Sequence, residues 1–116
     1  MATTDSRSDV LQGTLEMLVL TTLSLESMHG WGLSLRLRQL SGDVFDVNQG
    51  SLYPALQRML RRGWIRSTWR TSENNRRARY YELTAEGRRQ LAVRRAEWER
   101  SSRAINRVLR LAFAGG

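Results

Sequence analysis

Apolar residues recur at helical spacing near the start of the chain. The stripe predicts a largely buried helix over about residues 10–26. Its members are Leu11, Leu15, Leu18, Val19, Leu20, Thr22, Leu23 and Leu25. The segment "ESMHG" then ends this helix, and a second helix is predicted from Trp31 to Leu40. Its apolar face carries Leu33, Leu37 and Leu40, with Arg36 on another face and Gly42 placed as a C-terminal cap.

A third helix is predicted within "NQGSLYPALQRMLRRGWI", residues 48–65, and Gly63 ends it. At 100° per residue its apolar members gather on one arc, the expected core face: Leu52, Ala55, Leu56, Met59 and Leu60. The opposite arc carries Gly50, Pro54, Gln57, Arg58 and Arg61, with Ser51 and Tyr53 at its edges. Small residues at the start of this outward face allow a close approach to a target surface.

After Gly63 the apolar period changes from helical to two. "WIRSTWRT" and "RYYEL" alternate as strands, and the polar "SENNRRA" between them predicts a hairpin with a basic tip. Thr84 then reads as the N-cap of a long helix that runs to about Ala112. In that helix Leu91, Trp98, Ile105 and Ala112 recur every seven residues.

This order of elements predicts a mainly α fold with a small β-hairpin. It is the arrangement of a winged helix-turn-helix followed by a long C-terminal dimerisation helix. We expect a DNA-binding domain over residues 1–83 and the dimerisation helix over residues 84–116. An apolar seam on so small a domain requires a second copy of the chain to cover it, so we expect a homodimer.

Charge is distributed unevenly along the chain. Residues 1–57 hold three arginines against six acidic residues, whereas residues 58–116 hold sixteen arginines against five. The basic second half favours an anionic partner, with nucleic acid ahead of a membrane surface. The chain has one histidine, no cysteine and no clustered carboxylates, so we expect neither an enzyme, a metal site nor a cofactor. No apolar run is long enough to cross a bilayer, and a cytoplasmic protein without membrane contact is expected.

The third helix and the hairpin are the candidate DNA-binding surface. A helix whose outward face begins with small residues and continues with Gln and Arg fits the DNA major groove. The basic hairpin, or wing, suits contact with phosphate or with the minor groove. The candidate residues are Gln49, Ser51, Tyr53, Pro54, Gln57, Arg58, Arg61, Asn75, Arg76, Arg77 and Arg79. The alternatives are that the third helix is an ordinary surface helix and that the hairpin tip is a solvated loop.

Three motifs resemble the PadR family of bacterial transcriptional regulators. "LQGTLEMLVLTTLSLESMHGWGL" is similar to its first-helix signature, "GSLYPALQRMLRRGWI" to its recognition helix, and "RARYYELTAEG" to its second wing strand and last cap. The resemblance spans about Leu11 to Leu109 and implies the short subgroup with one dimerising C-terminal helix. It also implies that Tyr53 touches phosphate. Ser51 stands where the family usually has Thr, Trp31 replaces a Tyr, and "ENNRR" replaces a glycine-rich wing tip.

The resemblance also bears on the long helix. Trp98 aligns with a tryptophan that stacks on planar aromatic ligands between the subunits of multidrug-responsive members. The candidate effector-binding or dimer-interface residues are Leu91, Arg94, Arg95, Trp98, Ser101, Ser102 and Ile105. The alternative is that Trp98 only fills the dimer interface. His29 is expected to cap or pack against the second helix.

The sequence favours a dimeric, sequence-specific regulator of transcription that acts as a repressor on a pseudo-palindromic operator, with half-sites ~34 Å apart. Release by a small molecule is a further hypothesis. The alternative function is that of a non-specific nucleoid- or RNA-binding protein. A membrane-active helix over residues 84–112 is disfavoured, because arginines occupy several of its faces.

Overall fold

The structure, a computed structural model, describes the backbone of residues 2–114 and the side chains of residues 13–114. Four helices and three strands follow one another in the order α1 Ala2–Leu25, β1 Met28–His29, α2 Gly30–Leu40, α3 Gln49–Arg61, β2 Ile65–Thr71, β3 Arg77–Leu83 and α4 Ala85–Ala114. The predicted helices, hairpin and long last helix are all present. The predicted fold class is therefore confirmed.

The first two helices differ from the prediction at their ends. Helix α1 begins at Ala2 rather than near residue 10, and the side chain of Leu11 lies outside the described residues. Leu25 and Leu40, both expected on buried faces, are 57% and 52% exposed. Each is the last residue of its helix, where the chain turns away from the core. Gly42 follows α2 with a φ of 61°, the left-handed conformation expected of a C-terminal cap.

Strand β1 was not predicted, because two residues are too short to show a period. It joins the hairpin to make an antiparallel sheet in the order β1-β3-β2. Met28 pairs with Tyr81 and His29 with Tyr80, while the β2–β3 ladder runs from Ile65 opposite Leu83 to Thr71 opposite Arg77. The added strand fixes the root of the hairpin to the start of α2.

One apolar core lies between the helices and the sheet. Its members include Val19, Leu20, Leu33, Leu52, Leu56, Met59, Trp64, Ile65, Tyr81, Leu83 and Leu91. Leu91 was expected in the dimer seam, and that expectation is wrong. The first two turns of α4 still pack on the winged domain and bury Leu91 there, so the core crosses the expected domain boundary after residue 83.

The start of α4 is held by Thr84, the predicted N-cap. Its hydroxyl oxygen accepts a hydrogen bond from the Gly87 backbone N–H at 3.0 Å. The same hydroxyl donates to the carbonyl oxygens of Gly63 and Trp64, at 2.7 and 2.9 Å. Gly87 is buried against Trp64 so closely that a Cβ there would collide with the Trp64 carbonyl. The long helix therefore leaves the domain from a fixed position.

Candidate nucleic-acid interface

Helix α3 is capped by Asn48, whose side-chain oxygen accepts from the Ser51 N–H at 2.8 Å. Leu52, Ala55, Leu56 and Met59 are fully buried on its inner side. The opposite side is exposed over the positions Gly50, Ser51, Pro54, Gln57 and Arg61. Pro54 lies inside the helix and is exposed, so its ring does not enter the core. Helix α3 thus presents a small-residue entry face followed by Gln and Arg.

Tyr53 lies at the edge of this face, 42% exposed. A Cβ at Gly30, the first residue of α2, would come within 2.6 Å of the Tyr53 hydroxyl oxygen. The absence of a side chain at Gly30 therefore lets the tyrosine hydroxyl sit beside the N-terminus of α2. A hydroxyl next to backbone N–H groups at a helix N-terminus is a favourable setting for a phosphate oxygen.

Three residues expected to bind DNA are engaged within the chain instead. Gln49 Nε2 donates to Ser34 Oγ at 3.0 Å, which ties α3 to α2. Arg58 Nε donates to Glu16 Oε2 at 3.2 Å, and its side chain is only 20% exposed. Arg79 Nη2 donates to Ser67 Oγ across the β2–β3 ladder. The helical-wheel position of Arg58 was right, but its long side chain folds back toward α1. In this structure these three side chains are thus held by contacts within the chain rather than standing free on the outer face.

The wing turn projects its basic residues into solvent. Its backbone closes through hydrogen bonds from Ser72 N to Arg76 O and from Asn75 N to Ser72 O, at 2.6 and 2.9 Å. Asn75 has a φ of 59°, a left-handed conformation that asparagine tolerates better than most residues. Asparagine thereby does at this tip what glycine would do. Arg76 and Arg77 are exposed, and the Arg77 guanidinium lies 5.3 Å from the ring centre of Trp69.

His29 connects the wing turn to α2, and its expected capping role is confirmed. Its Nδ1 accepts from the Gly32 N–H at 3.0 Å, while Nε2 lies 3.2 Å from Glu73 Oε1. The Nε2–H tautomer satisfies both contacts. Hydrogen bonding by its own backbone N–H and then by His29 lowers the pKa of the Glu73 carboxyl. The histidine thus restrains the wing turn relative to the start of α2.

Glu16 is a buried carboxylate that sequence reasoning did not single out. Arg58 of α3 and Arg62, which follows α3 directly, lie within 3.3 Å of its Oε2, and Arg94 Nη2 of α4 lies 3.8 Å from its Oε1. The guanidinium groups of Arg62 and Arg94 also lie 4.9 and 4.8 Å from the ring centre of Trp64. A lone charge inside an apolar helical stripe was the available signal, because such a residue requires a partner.

A cavity of about 310 Å³ separates the middle of α1 from α4. It is lined by Gly13, Thr14, Met17, Arg94, Glu97, Trp98 and Ser101. Arg94, Trp98 and Ser101 of the expected effector set therefore come together. Two other members do not line it: Arg95 faces Glu99, with Nη2 3.8 Å from Oε1, and Ser102 Oγ donates to the Glu99 carbonyl at 3.2 Å.

Ile105 lies further along α4, beside a second, apolar cavity of about 270 Å³ that it lines with Ala104, Val108 and Leu109. Ile105, Val108 and Leu109 are all exposed in the single chain.

Among the described residues, no helix combines the length and apolar character needed to cross a membrane. Nor do the side chains at 13–114 bring together three or more acidic, histidine or cysteine ligands for a metal.

Comparisons with known proteins agree with this geometry. Residues 19–93 match the transcriptional regulator PadR-like family. A PadR-like transcriptional regulator from Bacillus cereus is 32% identical, with a TM-score of 0.75 over 87% of this chain and 96% of that one. A transcriptional regulator from Clostridium thermocellum is 27% identical, with a TM-score of 0.76 over 85% and 96%. An uncharacterised protein of Lysinibacillus sphaericus is 23% identical over 79% of this chain and 84% of its own length.

Proposed function

Because the chain belongs to the PadR-like family of transcriptional regulators, which are not enzymes, we propose that it is a homodimeric repressor of transcription. Each subunit reads one half of a pseudo-palindromic operator in double-stranded DNA. In this proposal residues 1–83 bind DNA, residues 84–116 form the dimer, and the protein acts in the cytoplasm. The proposal goes beyond regulation and DNA binding in naming the assembly, the operator symmetry and the sign of regulation.

The outward face of α3 is the observation that carries the proposal. Its N-terminal half offers only small or short side chains, so the helix backbone can come close to base edges in the major groove. Gln57 and Arg61 follow on the same face, and both are exposed. Gln matches adenine and Arg matches guanine as bidentate donors or acceptors. This face supports sequence-specific contacts over purely electrostatic ones.

Phosphate contacts are available on both sides of α3. Tyr53 and the start of α2 form one such position, and the wing residues Asn75, Arg76 and Arg77 form another. The wing arginines have no carboxylate partner within the described side chains. Free guanidinium groups on a projecting hairpin suit a phosphate backbone or a narrow minor groove. These contacts would orient α3 without contributing sequence preference.

The exposed apolar face of α4 supports the dimer. Trp98, Ile105 and Leu109 lie along one side of the helix, between 47% and 55% exposed. A row of large apolar side chains beyond the winged domain is stabilised when a second copy covers it. The two α3 helices would then address half-sites one DNA turn, ~34 Å, apart.

The testing experiment is selection of bound sequences from a pool of random duplexes at physiological salt. We expect the retained duplexes to share a two-fold symmetric site, and the site upstream of a reporter should lower transcription when the protein is present. Retention without any sequence preference would instead favour a non-specific nucleoid or RNA-binding role. A symmetric site that raises reporter output would overturn only the sign of regulation.

Gln57→Ala and Arg76→Ala form a matched pair that separates base reading from phosphate binding. Gln57→Ala should relax the preference at one base pair per half-site by about 1–3 kcal/mol. Arg76→Ala should weaken all duplexes alike and reduce the salt slope of binding by about one unit for each phosphate that the arginine neutralises. Fluorescence anisotropy on the selected site and its single-base variants measures both. If Gln57→Ala instead lowers the affinity for all duplexes equally, Gln57 contacts the DNA backbone rather than a base.

We further propose that a planar aromatic molecule binds beside Trp98 and releases the repressor. The cavity between α1 and α4 supports this, because Trp98 is half exposed and lines a recess of about 310 Å³. Acridine, followed by fluorescence without DNA, is a suitable probe. Trp98→Ala should abolish its binding, while Ile105 and Leu109, the other members of the apolar row, continue to hold the dimer. Trp31→Ala, outside the cavity, should change neither. Dissociation of the Trp98→Ala dimer would assign the residue to packing alone.

A further inference from the structure

Four arginines follow one another along the outer face of α4. Arg100, Arg103, Arg107 and Arg110 are all exposed, at intervals of three and four residues. At 100° and 1.5 Å per residue they fall within an arc of about 80° and span about 15 Å. The nearest acidic residue is Glu99, which faces Arg95 instead, with 3.8 Å between Oε1 and Nη2. We call these four residues the basic stripe.

The basic stripe has no carboxylate partner within the described side chains. Three other exposed arginines do find one, at 3.3, 2.6 and 2.6 Å: Arg38 with Asp43, Arg66 with Glu82, and Arg89 with Glu86. The wing arginines, like the stripe, do not. Like charges three and four residues apart on a helix repel one another, so the arrangement weakens the isolated helix. An anionic partner would remove that repulsion.

The direction of the basic stripe follows from helix geometry. It is centred about 150° around α4 from the side that faces α1 and about 160° from the apolar row of Trp98, Ile105 and Leu109. The proposed dimer covers that apolar row at the two-fold axis, so each stripe points away from the axis. An operator with two-fold symmetry lies across the axis, against the α3 helices. In that proposed dimer the two stripes therefore lie on the outer sides of the assembly, opposite the faces that meet at the axis.

We propose that the basic stripe holds the phosphate backbone of a second DNA duplex, so that one dimer joins its operator to a neighbouring duplex of any sequence. The inference rests on the proposed dimer. Guanidinium groups repeated every three or four residues along one arc of a helix suit the regular phosphates of a duplex strand. The arc contains no aromatic residue on which single-stranded bases would stack and no large apolar anchor for a protein partner. Duplex DNA fits it better than RNA or an acidic protein.

The test uses the full-length protein bound to an immobilised operator duplex. A labelled duplex of unrelated sequence is then added, and the retained label is measured. Wild type should capture it, with an apparent affinity that falls about 100-fold between 50 and 200 mM salt if four phosphates are contacted. Arg103→Gln with Arg107→Gln should reduce capture by about tenfold or more at 100 mM salt. Arg88→Gln with Arg89→Gln removes the same charge from the start of α4, outside the stripe, and should preserve capture.

Both double variants should keep operator affinity within about twofold, and light scattering should give one dimer to two duplexes. The inference is overturned if wild type captures no second duplex, if the two double variants lose capture equally, or if the stripe variant loses operator affinity. A complex in which two dimers, rather than one, join the two duplexes would also overturn it. So would capture of single-stranded RNA or anionic vesicles in place of duplex DNA. Failure of the proposed function appears separately, as an operator that is not retained in the first step.

Discussion

Replacing Glu16 with Gln is expected to lower the free energy of unfolding by about 2–3 kcal/mol. The carboxylate is 5% exposed and compensates the charge of Arg58, Arg62 and Arg94. Removing one partner of a buried ion pair costs about 3–5 kcal/mol, since the remaining charge is left desolvated. The cost is placed lower here because Arg62 is 46% exposed and the side chains of Arg58 and Arg94 are also partly exposed.

Urea unfolding at one fixed protein concentration measures this change, because the proposed dimer would make stability concentration-dependent. Glu99→Gln is the matched control, since Glu99 meets Arg95 on the open surface of α4 at 3.8 Å. Exposed ion pairs contribute little, so the control should stay within about 0.5 kcal/mol of wild type. Equal changes in the two variants would mean that the three arginines do not depend on Glu16.

Glu16 also bears on how α3 and α4 are held relative to each other. One carboxylate contacts arginines from both helices, and Trp64 lies beside two of the same guanidinium groups. In the proposed dimer, the angle between α3 and α4 decides how far apart the two α3 helices sit. The ion-pair cluster therefore lies between the parts of the chain assigned to DNA and to the second copy.

The elements of the fold were predictable because their apolar periods are regular. The outer face of α3 followed from 100° geometry alone, and Pro54, Gln57 and Arg61 lie where the wheel places them. A helical wheel cannot predict which residue a long side chain contacts. Arg58 shares that arc, yet it reaches Glu16, 42 positions earlier in the chain. Contacts between distant segments depend on packing that no local pattern encodes.

The apolar residues that recur every seven positions in α4 illustrate a second limit of prediction from sequence. Leu91, Trp98 and Ile105 have the same spacing, but Leu91 is covered by its own domain and the other two are exposed. Periodicity identifies an apolar face without identifying what covers it. Strand β1 marks a third limit, because its two residues are defined only by their pairing with Tyr80 and Tyr81.

Leu109→Glu is expected to have the largest effect on DNA binding, although Leu109 touches none of the candidate DNA-binding residues. Its side chain lines the apolar cavity with Ile105 and Val108 on the face assigned to the second copy. A carboxylate buried there without a partner would oppose association strongly. The variant should be monomeric at micromolar concentration by light scattering. Without the dimer each half-site is bound separately, so operator affinity should fall by at least about 100-fold.

Ala92→Glu is the control, because it adds the same charge to an exposed position of α4 outside the apolar row. It should remain dimeric and bind the operator nearly as wild type does. A monomeric Leu109→Glu that retains full operator affinity would show that one subunit suffices for recognition. A dimeric Leu109→Glu would move the interface to another face, and the direction inferred for the basic stripe would then change with it.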